Sequence, residues 1–306
     1  MRRHFAVGAK VTCAAGESQF KIILKNVGLR FVLQGVSIAF FYAVETGQEK
    51  ERITGMRVSV LASGSKGNSI FIEMDGTRLL VDAGVGVRRV ERSLAELSVP
   101  LDSLDAVFVT HEHSDHVAGL RTLLKHTDAP IYARPGTIRA IAGGEDLPEE
   151  RFRAVHDAVE VGALRVSAFD IPHDAADPVG YEITGSGKCT VATDLGFVTD
   201  AVRSAMEGAN VLVFEANHDR KMLRQGPYPW PLKQRILGCR GHLANDEAGR
   251  ALTSLKARPE KIILAHLSET NNRPAIAEET VSRAFAEIGV ASLPLAVALQ
   301  DEMVSA

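Results

Sequence analysis

Cysteine is scarce in this sequence, and the scarcity excludes a class of small folds. The three cysteines, Cys13, Cys189 and Cys239, lie far apart and form no C-x-x-C pair. An odd, scattered set does not build a disulfide framework and fits a reducing compartment. Long apolar runs are missing as well. The most apolar stretch, Phe31 to Val44, is about fourteen residues long, short of the roughly twenty that span a bilayer. No internal repeat or low-complexity tract is present, which excludes solenoids and fibrous arrays. Charge of one sign does not dominate: the net charge is -3, so a nucleic-acid role would need a local basic patch rather than bulk attraction. What remains is an ordinary globular composition. The 306 residues are 45% hydrophobic, enough for one large core or two modest ones.

The charge is unevenly spread. Residues 1–55 hold eight Lys/Arg against four Asp/Glu, a balance of +4, which leaves -7 for the rest of a chain whose total is -3. Part of that acidic surplus is what a site for divalent cations would need. Three origins fit residues 1–55. They are a start-site artefact or dispensable leader ahead of a true start at Met56, a signal or anchor segment, or a structured extension. The apolar run sits late for a signal peptide and has no clear A-x-A-like cleavage site. The main domain is expected over 56–306, with no stable membrane partner.

From Met56 the pattern is strand-rich. Arg57 to Ala62, Ser69 to Met74 and Arg78 to Val81 read as strands between Gly-bearing turns. Helical spacing follows over Val87 to Leu97, then a buried strand Ala106 to Val109, helices at Gly119 to His126 and Pro135 to Ala142, and a strand Ile131 to Ala133 between them. A second strand series runs Val159 to Val161, Leu164 to Phe169, Gly180 to Thr184, Cys189 to Ala192, Val211 to Phe214 and Lys261 to Leu264. Helices are expected at Thr199 to Met206, Asn245 to Lys256 and Pro274 to Ile288. Two strand-heavy halves with flanking helices predict a layered α/β body, its sheets packed face to face.

The stretch Thr110-His111-Glu112-His113-Ser114-Asp115-His116 places four metal-ligand side chains within six residues, directly after a buried strand. In an extended loop His111 and His113 share one side, while Asp115 and His116 turn toward a second position. Imidazole and carboxylate donors suit Zn, Mn, Fe or Ni rather than a soft thiolate site. By the same alternation Glu112 points away and reads as structural. A lone Asp after a strand, such as Asp82 or Asp194, is usually a turn or cap residue, and a lone His such as His173 or His266 is usually structural. Their order behind an H-x-H-x-D-H loop changes that reading.

The H-x-H-x-D-H loop resembles the signature of the metallo-β-lactamase superfamily, and the resemblance runs along essentially all of 56–306. It implies a four-layer αββα sandwich. Asp82 in Leu-Val-Asp-Ala-Gly matches the first motif, His173 in Ile-Pro-His-Asp the third, Asp194 in Ala-Thr-Asp-Leu-Gly the fourth and His266 in Leu-Ala-His-Leu-Ser the fifth. The resemblance implies one ion on His111, His113, His173 and Asp194. A second ion falls to Asp115, His116, Asp194 and His266. Asp82 would orient the histidine loop, and Asp174 would steady His173. Zn or Mn is expected, with Fe also compatible.

Four further segments, Leu61 to Ser69, Pro172 to Tyr181, Gly241 to Gly249 and His266 to Asn272, are similar to the YycJ/WalJ exonuclease subfamily. That likeness implies a cytoplasmic nuclease acting 5′ to 3′ on DNA, single-stranded or with a free 5′ end, through a dinuclear metal-activated hydroxide. Residues 1–55 depart from it, because that subfamily normally begins near Met56. The loop Ser63 to Ser69 reads either as a cradle aiming backbone N–H groups at phosphate or as a tight hairpin turn. Asn217 to Gly241 carries six Lys/Arg with Tyr228 and Trp230, the ingredients of single-strand binding, or else of a solvated helix pair. His242 is a candidate general acid. Ser65, Asn68, Arg220, Lys221, Arg224, His242, Ser268 and Asn271 are candidate substrate contacts. A small-molecule hydrolase (lactonase, thioesterase or β-lactamase-like) and a non-catalytic binding protein are the competing readings.

Overall fold

A computed structural model describes residues 31–33, 36–38, 55–143, 147–290 and 294–306. Most of the segment 1–55, and with it the choice among its three origins, lies outside the described residues. Met1–Glu49 and Lys50–Ala306 are separate compact units. In the first, strands β1 (Phe31–Leu33) and β2 (Val36–Ile38) pair antiparallel.

The second unit opens with β3 (Met56–Ala62), β4 (Ser69–Met74) and β5 (Thr77–Val81), an antiparallel meander. Helix α1 (Val87–Glu96) crosses to β6 (Ala106–Phe108). Short helices α2 (Ser114–Val117) and α3 (Leu120–Leu123) lead to β7 (Ile131–Ala133), α4 (Pro135–Ala142) and β8 (Phe152–Ala154). The second sheet begins with β9 (Ala158–Val161), β10 (Leu164–Asp170), β11 (Val179–Thr184) and β12 (Lys188–Ala192). It continues through α5 (Asp200–Met206) and β13 (Val211–Glu215). Helices α6 (Arg220–Gln225), α7 (Trp230–Ile236) and α8 (Asn245–Thr253) precede β14 (Lys261–Ala265). Helix α9 (Pro274–Glu287), β15 (Leu295–Val297) and β16 (Val304–Ser305) end the chain.

The strand orders are β16-β3-β4-β5-β6-β7-β8 and β15-β14-β13-β12-β11-β10-β9. Alternation along the strands builds three apolar layers. Ile70 and Ile72 of β4 meet Tyr181, Val191 and Val213 between the sheets. Phe71, on the other face of β4, packs with Val90 and Leu94 of α1. Leu212 and Phe214 of β13 pack with Val202, Leu252 and Phe285 from α5, α8 and α9. The result is the expected αββα order of layers.

Some elements differ from expectation. The helix expected over 119–126 shrinks to a single turn, α3, and an unexpected single turn, α2, precedes it and carries Asp115 and His116. β8, β15 and β16 escape the sequence pattern, because two or three residues at a sheet edge carry too little alternation to read. The basic stretch 217–241 is largely the helix pair α6 and α7, with Asp219 capping α6 through Met222 N–H at 2.8 Å.

Candidate metal centre

The parallel strands of both sheets end at one edge of the sandwich, the usual place for a site in such sheets. β5, β6, β12 and β14 each run out into a candidate ligand or its support there. Three of these residues, Asp82 (φ 62°), Asp194 (φ 60°) and His266 (φ 55°), adopt the left-handed region that L-residues rarely occupy. Strain of this kind persists only where the surroundings enforce it, and it concentrates at functional sites.

Hydrogen bonds and close packing enforce it here. Asp82 accepts Thr110 N–H at 2.8 Å and binds His116 Nδ1 at 2.8 Å, with all three residues buried. Removing one partner of such a buried pair costs about 3–5 kcal/mol. Asp82 therefore fixes the ring of His116 and is not itself in a metal-facing group. Tyr181 Oη donates to Val109 O at 2.8 Å, tying the second sheet to the strand that delivers the histidine loop. Gly84 packs so closely on that loop that a Cβ there would lie 1.7 Å from Asp115 O.

The seven expected ligands converge. His173 Nε2 lies 3.3 Å from His113 Nδ1. The ring of His173 is 5.0 Å from those of His111 and His113, which are 4.6 Å from each other. His266 Nε2 is 3.4 Å from Asp115 Oδ2 and 3.4 Å from Asp194 Oδ1. His116 Nε2 is 3.3 Å from Asp194 Oδ2 and 3.5 Å from Asp115 Oδ2. These separations are wide for hydrogen bonds. They match donors about 2.0–2.1 Å from a tetrahedral centre, which sit about 3.3–3.4 Å apart. Two buried donors, His111 Nε2 and Asp194 Oδ2, have no hydrogen-bond partner. Orphaned buried atoms of this kind call for a ligand, so the donor set fits divalent metal. Asp194 stands between the His111/His113/His173 group and the Asp115/His116/His266 group.

The electrostatics point the same way. Burial lowers the pKa of His111 well below its ordinary value, aided by His116 and His173. Burial also opposes charge on His116, but Asp194 and Asp82 outweigh it and raise that pKa well above the usual range. His266 is raised to about 10: burial works against it, while Asp194, Asp115 and Glu215 favour its proton more strongly. Asp115 and Asp194 are lowered despite burial, through the histidines around them. In the metal-free protein, protons thus occupy places where cationic charge belongs.

The sequence reading missed Glu215. It ends β13, is fully buried, and binds His242 Nδ1 at 2.8 Å and His266 Nδ1 at 3.1 Å. It also accepts the backbone N–H groups of Leu195 and Leu243. The histidines hold its pKa low against the cost of burial. A carboxylate terminating the apolar run Val-Leu-Val-Phe was the available signal. Asn217, also missed, donates to His266 O at 2.8 Å.

A cavity of about 270 Å³ opens over the ligands, lined by His113, Asp115, His173, Asp194, His242 and His266 together with Ser65, Ser268, Tyr228 and Arg235. Glu112 points away and accepts Ala176 N–H, as expected. Other expectations fail. The N–H groups of Ser63, Gly64, Lys66, Gly67 and Asn68 are all used within the protein, so most of that loop is a stitched hairpin, and Ser65 is its residue in the cavity lining. Asn68 is 5% exposed, and its Nδ2 lies 3.1 Å from His116 Nε2; it braces ligands instead of facing substrate. Asn271 is fully buried beside Gly226, away from the cavity lining. Arg220 is spent on Asp246 at 2.9 Å and Glu247 at 2.5 Å, and neither Lys221 nor Arg224 lines the cavity. Lys233 is buried and donates to Arg224 O and Gly226 O at the end of α6. Asp174 holds Arg235 at 2.6 Å and sits 3.6 Å from His173 Nε2, on the cavity side of that ring instead of behind it.

Residues 77–267 match the beta-lactamase superfamily domain. The chain is 38% identical over 240 residues to exodeoxyribonuclease YycJ of Bacillus anthracis, covering 77% of this chain and 91% of that one. It is 37% identical over 245 residues to exodeoxyribonuclease WalJ of Streptococcus pneumoniae, with the same coverage. Among solved structures, the metallo-beta-lactamase fold protein YhfI of Bacillus subtilis superposes with a TM-score of 0.63 at 19% identity, over 82% of this chain and 99% of that one. Donor chemistry, fold and relatives agree: the chain belongs to the YycJ/WalJ family of the metallo-β-lactamase superfamily and is a metal-dependent hydrolase.

Proposed function

We propose that this protein is a phosphodiesterase acting on DNA, a 5′-to-3′ exonuclease that takes single strands or free 5′ ends. The observation that carries the reading is the placement of His242 at the lip of the ligand cluster, its Nδ1 on Glu215 at 2.8 Å. His111, His113, His173 and Asp194 would hold one divalent ion, and Asp115, His116, Asp194 and His266 a second; Zn, Mn and Fe all suit these donors. Bound there, such ions supply charge for a phosphoryl group and lower the pKa of water.

The chain's own residues do the rest. Glu215 fixes the tautomer and tilt of His242, leaving Nε2 to carry a proton toward the departing sugar oxygen. A group that needs protonation as it leaves is what a phosphodiester offers. Asp82 anchors one imidazole from beneath and Glu215 two, so the cluster does not reorganise as charge develops. The names of the exodeoxyribonuclease relatives support DNA as substrate. The few, scattered cysteines fit a cytoplasmic setting.

The test is direct. Purified protein loaded with Mn²⁺ or Zn²⁺ is offered single-stranded oligonucleotides labelled at either end, a β-lactam and a thioester. Mononucleotides released progressively from the 5′ end are expected. Turnover of the lactam or thioester alone would refute the nuclease reading, and release from the 3′ end would refute the polarity.

A further inference from the structure

We propose that Arg235 is the residue that grips a backbone phosphate of the bound strand next to the one being cut; the proposal rests on the nuclease reading. Among the described residues, Arg235 is the one Lys or Arg that lines the cavity over the metal ligands. The other cations of its segment are accounted for: Arg220 pairs with Asp246 and Glu247, Lys233 caps α6, and Lys221, Arg224 and Arg240 lie outside the lining.

The geometry is specific. Arg235 donates through Nε to Asp174 Oδ2 at 2.6 Å, and the other oxygen of that carboxylate is 3.6 Å from His173 Nε2. One carboxylate therefore separates the guanidinium from the ligand cluster. Asp174 uses the Nε donor only, which leaves the two Nη groups without a partner among the described residues, on a side chain that is 57% exposed. A guanidinium carries five N–H donors in a rigid fork that suits phosphate oxygens. Asp174 holds that fork in place beforehand, so less side-chain freedom is lost when a phosphate arrives. Leu232 and Ile236 share the lining with Arg235 on α7, which makes the helix a wall of the cavity with a single fixed charge. An uncharged small substrate has no use for such a charge, whereas a strand of phosphodiesters does.

The experiment compares wild type, Arg235→Ala, Arg235→Lys and Asp174→Asn, all metal-loaded, on a single-stranded oligonucleotide over a salt series. Arg235→Ala is expected to raise KM about tenfold or more, since it removes a charge-assisted hydrogen bond to phosphate. Its kcat falls less, its metal content stays, and the slope of log affinity against log salt drops by about 0.7. Arg235→Lys keeps the slope and recovers part of KM. Two results overturn the proposal. One is Arg235→Ala with KM and salt slope like wild type. The other is Arg235→Ala losing metal and kcat in step with Asp174→Asn, which makes the pair a brace for His173. A wild-type protein that cuts no DNA overturns the nuclease reading first, and this proposal with it.

Discussion

Two regions meet at the cavity, and they are built on opposite terms. The floor consists of histidines and carboxylates at strand ends, where Asp82, Thr110, Glu215 and Asn217 fix ligand or backbone orientation. The wall segment, residues 217–241 with α6 and α7, carries six cations, yet Arg235 alone of them lines the cavity, and three make bonds within the protein: Arg220, Lys233 and Arg235. Charge in the floor is concentrated and buried; charge in the wall is mostly solvated or neutralised. The contrast teaches that counting cations in a sequence overstates a binding surface, whereas counting ligands at metal spacing does not.

The largest effect should come from the floor. Asp194→Ala removes the one carboxylate that stands between both ligand groups, and activity should drop by more than about a hundredfold, beyond what removing a residue behind the ligands costs. Metal analysis alongside turnover checks it. Full activity with both ions retained would mean that Asp194 does not join the two halves.

Glu215→Gln tests whether the layer beneath the ligands matters as much as the ligands. It keeps the shape and removes the charge shared by His242 and His266, and metal affinity or rate should fall about 10–100-fold. Equal affinity and rate would reduce Glu215 to packing. The proton balance gives a third test. His116 and His266 have raised pKa values in the metal-free protein, so both are protonated at neutral pH. Ions must displace those protons, and apparent affinity should therefore rise with pH, by up to about tenfold per pH unit for each proton released. Titration calorimetry in buffers of different ionisation enthalpy reads the release. Heats that do not depend on the buffer would contradict it.

The cations of the wall segment outside the cavity lining should give the smallest effects. Reversing Lys221 and Arg224 together should weaken DNA binding modestly and lower the salt slope, by about 0.7 for each phosphate no longer neutralised. Arg220→Ala should leave that slope alone and cost stability by about 1 kcal/mol or less, as partly exposed ion pairs do. If Arg220→Ala moved the slope more than the Lys221/Arg224 pair, the division of the wall into paired and free cations would be reversed.

The same contrast explains how much was legible beforehand. His111, His113, Asp115 and His116 declare themselves because one loop must present them within a few ångströms, and that constraint is local in sequence. Asp194 and His266 follow from order behind that loop, and the long strands from alternation. Glu215 shows in the sequence only as a carboxylate closing an apolar run; its role is not legible there, since it depends on β13 ending beneath His242, a contact 27 residues away. Nor could the pairing of Arg220 be foreseen, because Asp246 and Glu247 lie on α8. Asn68 looked like a substrate contact because its loop is polar and glycine-bearing; only the packing of Gly84 on Asp115 O shows that the loop turns inward.

The central claim is that seven side chains, four from the loop after β6 and three from beyond other strands, enclose two ions. Anomalous diffraction from crystals of the metal-loaded protein tests it most directly. Two peaks are expected, one among His111, His113 and His173 and the other among Asp115, His116 and His266, with Asp194 reaching both. A single peak, or density away from these residues, would contradict it.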